Sequence, residues 1–191
     1  AERARLATYK ANISALRGDY VTAHAEASDA VAQWRAIADA RPVSDDTALA
    51  RGEMAMALNL EAFVLMRSGD TTSANVLASQ ALLALAAAPA APVWWRSDIM
   101  AVLGETSLSD GRLAAAETYF KTAIRIRKDA FGEGAGTLRL RTALARAYQA
   151  ENMNTNAIIA YREALTLARG LPRDSLPFTD EDLMPLAAAV V

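Results

Sequence analysis

Apolar residues along this chain recur three and four positions apart, and no stretch makes a convincing strand. That is the period of helices that bury one face, not of half-buried strands. Met100, Leu103, Gly104 and Leu108 line one side of a helix, and Leu140, Leu144, Ala147 and Tyr148 line another. Lys, Arg, Glu and Gln occupy the outward positions, as an amphipathic helix requires. The pattern predicts helices at 3–17, 20–40, 46–67, 71–88, 95–109, 113–130, 137–151 and 155–169. Pro42, Pro89, Pro92, the run Gly132 to Gly136, and Pro172 fall between them, where helix breakers belong. The fold class is therefore all-α.

These helices repeat in pairs. Four segments share a turn residue, an alanine five positions on, a second alanine seven further, and then an aliphatic residue. They are Gly18–Ala23–Ala30–Val31, Gly69–Ala74–Ala81–Leu82, Gly111–Ala116–Ala123–Ile124 and Asn152–Ala157–Ala164–Leu165, at successive offsets of 51, 42 and 41 residues. With 45 alanines among 191 residues a single match means little, but eight at fixed distance from a turn residue define a repeat. Glycine adopts the left-handed conformation that ends a helix, and asparagine tolerates it well. Two alanines nearly two turns apart share a helix face and let a neighbouring backbone come close. Phe120 and Tyr161 fall between the paired alanines and fill the gap. The reading is four hairpins, at about 3–40, 46–88, 95–130 and 137–169.

Gly104, Gly111, Ala116, Phe120 and Ala123 have the spacing of the tetratricopeptide signature. The stretch Ala116-Glu117 through Phe120, Ala123-Ile124, Ile126-Arg127 and Ala130-Phe131-Gly132 resembles its longer, ~42-residue form. That form is known from kinesin light chains and from bacterial proteins that carry a caspase-like CHAT peptidase domain. The resemblance is strongest from about 97 to 170 and weakens in the first hairpin, where Lys10 and Ser14 replace apolar residues. It implies a right-handed superhelical solenoid of about four hairpins over 1–170. Residues 171–191 are then a loop and a C-terminal helix at 179–190, which caps the last apolar face or connects to a following domain. Two features depart from the family. Gly134-Ala135-Gly136 replaces the usual His-Pro loop, and of the asparagine pair that helps clamp an extended peptide only Asn59 is present.

Composition narrows the function. Twenty Lys and Arg against 22 Asp and Glu give a net charge of -2, so no global charge favours nucleic acid or an anionic membrane. No cysteine is present, which removes disulfides, thiolate metal sites and cysteine nucleophiles. The longest apolar run, Ala81 to Trp95, is interrupted by Pro89 and Pro92 and falls short of the ~20 residues of a bilayer span. No signal peptide is evident, and the opening Ala1 is read as the start of a processed or excised piece; the compartment and oligomeric state stay open.

Chemistry is sparse. The single histidine, His24, precedes Ser28 and Asp29 on one predicted helix, too close together to surround a substrate, so it reads as a solvated histidine. One histidine cannot make a zinc site, and no phosphate loop follows a strand. No catalytic residue, metal or cofactor is expected. Asp45 and Asp46 after Ser44 suit the start of a helix, as cap and dipole partners. Trp94-Trp95 packs a joint between hairpins or, less favoured, anchors a partner. Arg125, Arg127, Lys128, Arg139, Arg141 and Arg146 read as a solvated face, since no aromatic residues interleave with them.

The resemblance also implies where a partner sits, because in such solenoids the first helix of each hairpin lines the concave surface. The corresponding positions are Arg5, Thr8 and Asn12; Met56, Asn59, Phe63 and Met66; Asp98 and Glu105; and Arg139, Thr142 and Arg146. An apolar set rimmed by charges of both signs suits a specific protein contact. The expected function is protein interaction, a peptide segment or helix held in this groove. The alternative is a regulatory arm whose partner is another domain of the same parent chain, such as a CHAT peptidase.

Overall fold

The computed structural model describes residues 1–40 and 45–172, with side chains at 45 and 46 excepted. The capping roles expected of Ser44, Asp45 and Asp46, and the helix expected at 179–190, lie outside the described residues. Within them the chain forms eight α-helices and no strand. These are α1 (Glu2–Leu16), α2 (Tyr20–Ala38), α3 (Asp45–Ser68), α4 (Thr71–Ala86), α5 (Trp95–Ser109), α6 (Leu113–Phe131), α7 (Ala135–Ala150) and α8 (Asn154–Gly170).

The four expected helix stops are the left-handed positions that the repeat requires. Gly18, Gly69 and Gly111 have φ of 76°, 97° and 72°, and Asn152, with φ of 60°, is the one non-glycine residue of this kind among the described residues. Each turn is closed by backbone hydrogen bonds in which the residue after the stop reaches back to the preceding helix, as Asp19 N–H does to the Ser14 carbonyl at 3.0 Å and Met153 N–H to Tyr148 at 2.9 Å. That is the bonding of a glycine-type C-cap. The next helix starts at once. Asp19 and Asp70 cap α2 and α4 by accepting the Thr22 and Ser73 N–H groups at 3.1 and 3.0 Å. Hydrogen bonds from the side chain and the N–H of Thr22 hold the Asp19 carboxyl below the usual carboxylate range, and those from the N–H and side chain of Ser73 do the same for Asp70.

All eight repeat alanines are buried, and seven of them completely. The small face therefore does what the spacing requires, bringing backbones together where a larger side chain would hold them apart. Phe120 and Tyr161 fill the intervening space, both buried.

The described chain divides into two compact units whose boundary falls within α5, between Thr106 and Ser107. In the first, α2 packs on α1 and α3, and α4 on α3. Trp34, fully buried, donates its indole N–H to Thr8 Oγ1 at 3.2 Å and so ties α2 to α1. Ser14, in an apolar position of the repeat, donates its hydroxyl to Glu26 at 2.7 Å; the polar substitution in α1 is matched by a polar partner on α2. Asn75 of α4 donates to Thr106 of α5 at 3.0 Å. Gly52 of α3 faces the joint before α5, where a Cβ would lie 3.0 Å from the Trp95 ring and 3.2 Å from the Ala91 Cβ. Trp94 and Trp95 meet edge to face, their centroids 6.1 Å apart, and both are half-buried. The pair thus packs the joint only in part.

In the second unit α7 packs between α6 and α8. The helix at α7 begins two residues earlier than its glycines suggest. Only Gly132 to Gly134 form the turn, while Gly136 is helical and the Arg127 side chain lies across it, where a Cβ would clash with the guanidinium. A residue read as a breaker is instead the bare spot on which an arginine rests.

Candidate protein-interaction site

Met56, Asn59, Phe63 and Met66 lie three and four residues apart along α3, and so on one face of it. Asn12 on α1 holds the position equivalent to Phe63; Asp98 and Glu105 on α5 hold those of Met56 and Phe63. These seven belong to the first unit, whereas Arg139 and Arg146 stand at equivalent positions on α7 in the second. α1 contacts α3 directly, and Trp95 of α5 approaches Gly52 of α3, so the first-unit residues lie on three associated helices.

Burial separates them. Asn12, Arg139 and Arg146 are exposed, and Met56, Phe63, Met66, Asp98 and Glu105 are half-buried. Asn12 spends its amide on the Thr8 carbonyl at 3.0 Å. Asn59 is different: it is only 8% exposed, and its Oδ1 is buried without a hydrogen-bond partner. An unsatisfied buried acceptor of this kind costs about 1–3 kcal/mol.

Two carboxylates on α3 give the sequence no signal. Glu53 is half-buried one turn from Met56, and burial pushes its carboxyl up, opposed by the Arg5 charge on α1. Glu61 is 7% exposed and faces α2, with Oε1 3.5 Å from His24 Nδ1. Burial raises its pKa, partly offset by His24, a Ser28 hydrogen bond and Arg35. His24 itself is exposed, as expected, but it serves as this buried acid's neighbour. The signal for both acids is tertiary, because an isolated helix shows only a Glu among apolar residues.

In the second unit the cations are engaged with acids. Arg141 bridges Glu133 at 2.8 Å and Glu163, Lys128 reaches Glu133 at 3.2 Å, and Arg125 approaches Asp129 at 3.8 Å. Burial works against ionised Glu133, but the hydrogen bonds from Arg141 and Lys128 prevail and hold its carboxyl below the ordinary value. Arg127 lies over the Phe131 ring at 5.8 Å. Glu117 of α6 accepts both Lys121 at 2.7 Å and the Tyr148 hydroxyl of α7 at 3.0 Å. Of the arginines and lysines singled out in the sequence, Arg125, Lys128 and Arg141 are thus paired with acids locally. Among the described residues no cluster of three His, Cys, Asp or Glu side chains could hold a metal, and no helix is long and apolar enough to cross a membrane.

Paired helices with left-handed stops and alanine seams define an all-α repeat fold of the tetratricopeptide type. Residues 96–170 match the family described as tetratricopeptide repeat. Among solved structures, BtubC (BKLC) from P. vanneervenii superposes with a TM-score of 0.74 at 16% identity, over 99% of this chain and 76% of that one. A Podosopora anserina candidate kinesin light chain with nearly identical TPR-like repeats gives a TM-score of 0.66 at 19% identity, over 98% of this chain and 85% of that one. A point variant of that same kinesin light chain gives 0.67 at 19% identity, over 98% and 84%. At these identities the structural likeness is one of fold, and it agrees with the kinesin-light-chain-like resemblance of the sequence. No curated protein sequence matches the chain.

Proposed function

We propose that the chain is a protein-interaction module whose α3 face receives a peptide segment or helix of a partner. Tetratricopeptide repeats generally mediate protein–protein contacts, and this scaffold type is typically non-catalytic. The observation that carries the reading is Asn59, whose buried amide oxygen has no partner and stands among the half-buried Met56, Phe63 and Met66. Rotation of the Asn59 side chain toward the α3 face would let a peptide backbone N–H satisfy that acceptor while the three apolar side chains bury its neighbours. Arg5 and Glu53 on one side and Asp98 and Glu105 on α5 supply charges of both signs around the apolar centre, with Asn12 as a further polar contact on α1. On the second unit, Arg139 and Arg146 of α7 would take a carboxylate.

Phe63→Asp places a charge at the centre of the proposed contact on a half-buried position. Affinity capture with the intact chain beside this variant, followed by mass spectrometry, should give a partner retained only by the intact chain. The circular dichroism of the two should agree. A partner captured equally by both would overturn the placement at α3.

A further inference from the structure

The connections that follow α4 and α6 are built differently, and the repeat aligns them residue by residue at offsets of 42 and 41. In the second unit α6 runs to Phe131, and residues 132–134 lead into α7. Long side chains occupy that corner: Arg127 lies across Gly136 and over the Phe131 ring, and Lys128 pairs with Glu133. In the first unit the residues equivalent to Arg127, Lys128 and Phe131 are Leu85, Ala86 and Pro89. There α4 stops at Ala86, and the longer segment 87–94 leads into α5. Shorter side chains and a longer connection leave a cavity of about 250 Å³ between the end of α4, the connection and the first turn of α5. It lies within the first unit, away from either end of the repeat array.

Nine residues line the cavity, and eight are apolar, among them Leu82, Leu85, Ala88, Pro92 and Val93. The ninth is Arg96, which stands where α7 has Thr137. Arg96 is exposed; no acid lines the cavity beside it, and it is in no ion pair among the described residues. Backbone polarity is spent as well. Pro89 and Pro92 have no N–H, and Ala88, Ala91 and Arg96 donate theirs to the carbonyls of Leu85, Ala88 and Val93 at 3.0, 2.9 and 3.2 Å. From this we infer that the α4–α5 joint binds a small monocarboxylic acid, its hydrocarbon body among the apolar residues and its carboxylate on the Arg96 guanidinium. A site with one polar side chain matches a ligand with one polar group. A peptide would bury amides that this lining does not pair, at a cost for each. The volume also lies below the ~300–1,000 Å³ of drug-sized ligand pockets, which favours a short acid.

Octanoate is a suitable probe, and octan-1-ol is its uncharged counterpart of equal length. Each is titrated against the intact chain, with binding read from the broadening of the ligand's methyl proton resonance. Octanoate should bind saturably and octan-1-ol about tenfold more weakly. Arg96→Gln, a change at an exposed side chain, should bring octanoate down to the level of the alcohol and leave the alcohol unchanged. Ala86→Phe, which fills the cavity from an exposed position on α4, should weaken both. Phe63→Asp should alter neither, which separates this site from the α3 face. Equal binding of acid and alcohol, octanoate binding indifferent to Arg96→Gln or lost in Phe63→Asp, or no saturable binding at all would overturn the inference. So would a pentapeptide ending in a leucine with a free carboxylate that binds more tightly than octanoate and depends on Arg96, since the cavity then receives the end of a protein chain.

Discussion

Asn59 and Glu61 are two residues apart on α3 and are both buried polar groups, yet they act on stability through different terms. Asn59 holds an acceptor that nothing satisfies. Asn59→Leu removes it at similar volume, so the free chain should gain about 1 kcal/mol in urea unfolding and lose affinity for an α3-bound partner. Glu61 is penalised for its charge. Its folded pKa lies above its unfolded value, so its favourable contribution is complete below the ordinary glutamate range and is lost as pH rises through the folded value. Glu61→Gln should therefore raise the melting temperature at pH 7, and that gain should vanish as pH is lowered through the folded pKa; a gain that persists at pH 4 would refute the sign. Neither residue was legible as buried in the sequence. Asn59 could be picked out only by its place in the repeat, and Glu61 reads as an ordinary polar side chain until α2 is laid beside it.

Among the elements, the hairpins were legible because their stops and seams are local: a glycine or asparagine, then alanines at fixed spacing. Gly18, Gly69 and Gly111 have no heavy atom near the place where a Cβ would stand, so a substitution there meets only backbone strain. Gly111→Ala should cost about 1–2 kcal/mol. Asn152→Gly, at φ of 60°, should be neutral or slightly stabilising in the same denaturant titration. Ambiguity arises where one residue type serves two purposes. Gly134 and Gly136 look alike in sequence; Gly134 precedes the first residue of α7, and Gly136 lies inside the helix beneath Arg127. Gly52 gave no signal either, because its need for a missing side chain comes from Trp95, 43 residues later.

For the molecule as a whole, the tryptophans provide a measurement. Trp34, Trp94 and Trp95, the full complement of three, all fall in the first unit, so their fluorescence reports on that unit and circular dichroism on both. Stability in stacked repeats is a sum of local terms and nearest-neighbour couplings. Phe120, fully buried on α6, belongs to the second unit, and Phe120→Ala should cost about 3–5 kcal/mol there. The dichroism transition should then broaden or split toward lower denaturant while the fluorescence midpoint moves less. Coincident shifts would show that the chain unfolds as one cooperative body.

The alanine seams also bear on how the chain finds its own neighbours. Because every second helix presents nearly the same small face, a first helix could lie against the wrong one with little loss of packing. What tells the hairpins apart is polar: Ser14 with Glu26, His24 with Glu61, Asn75 with Thr106, and Glu117 with Tyr148. Each pair occurs at one place in the chain and leaves an uncompensated group if the helices are mismatched. These contacts serve as addresses, and erasing them should leave a protein that is still helical but less certain of its order of assembly.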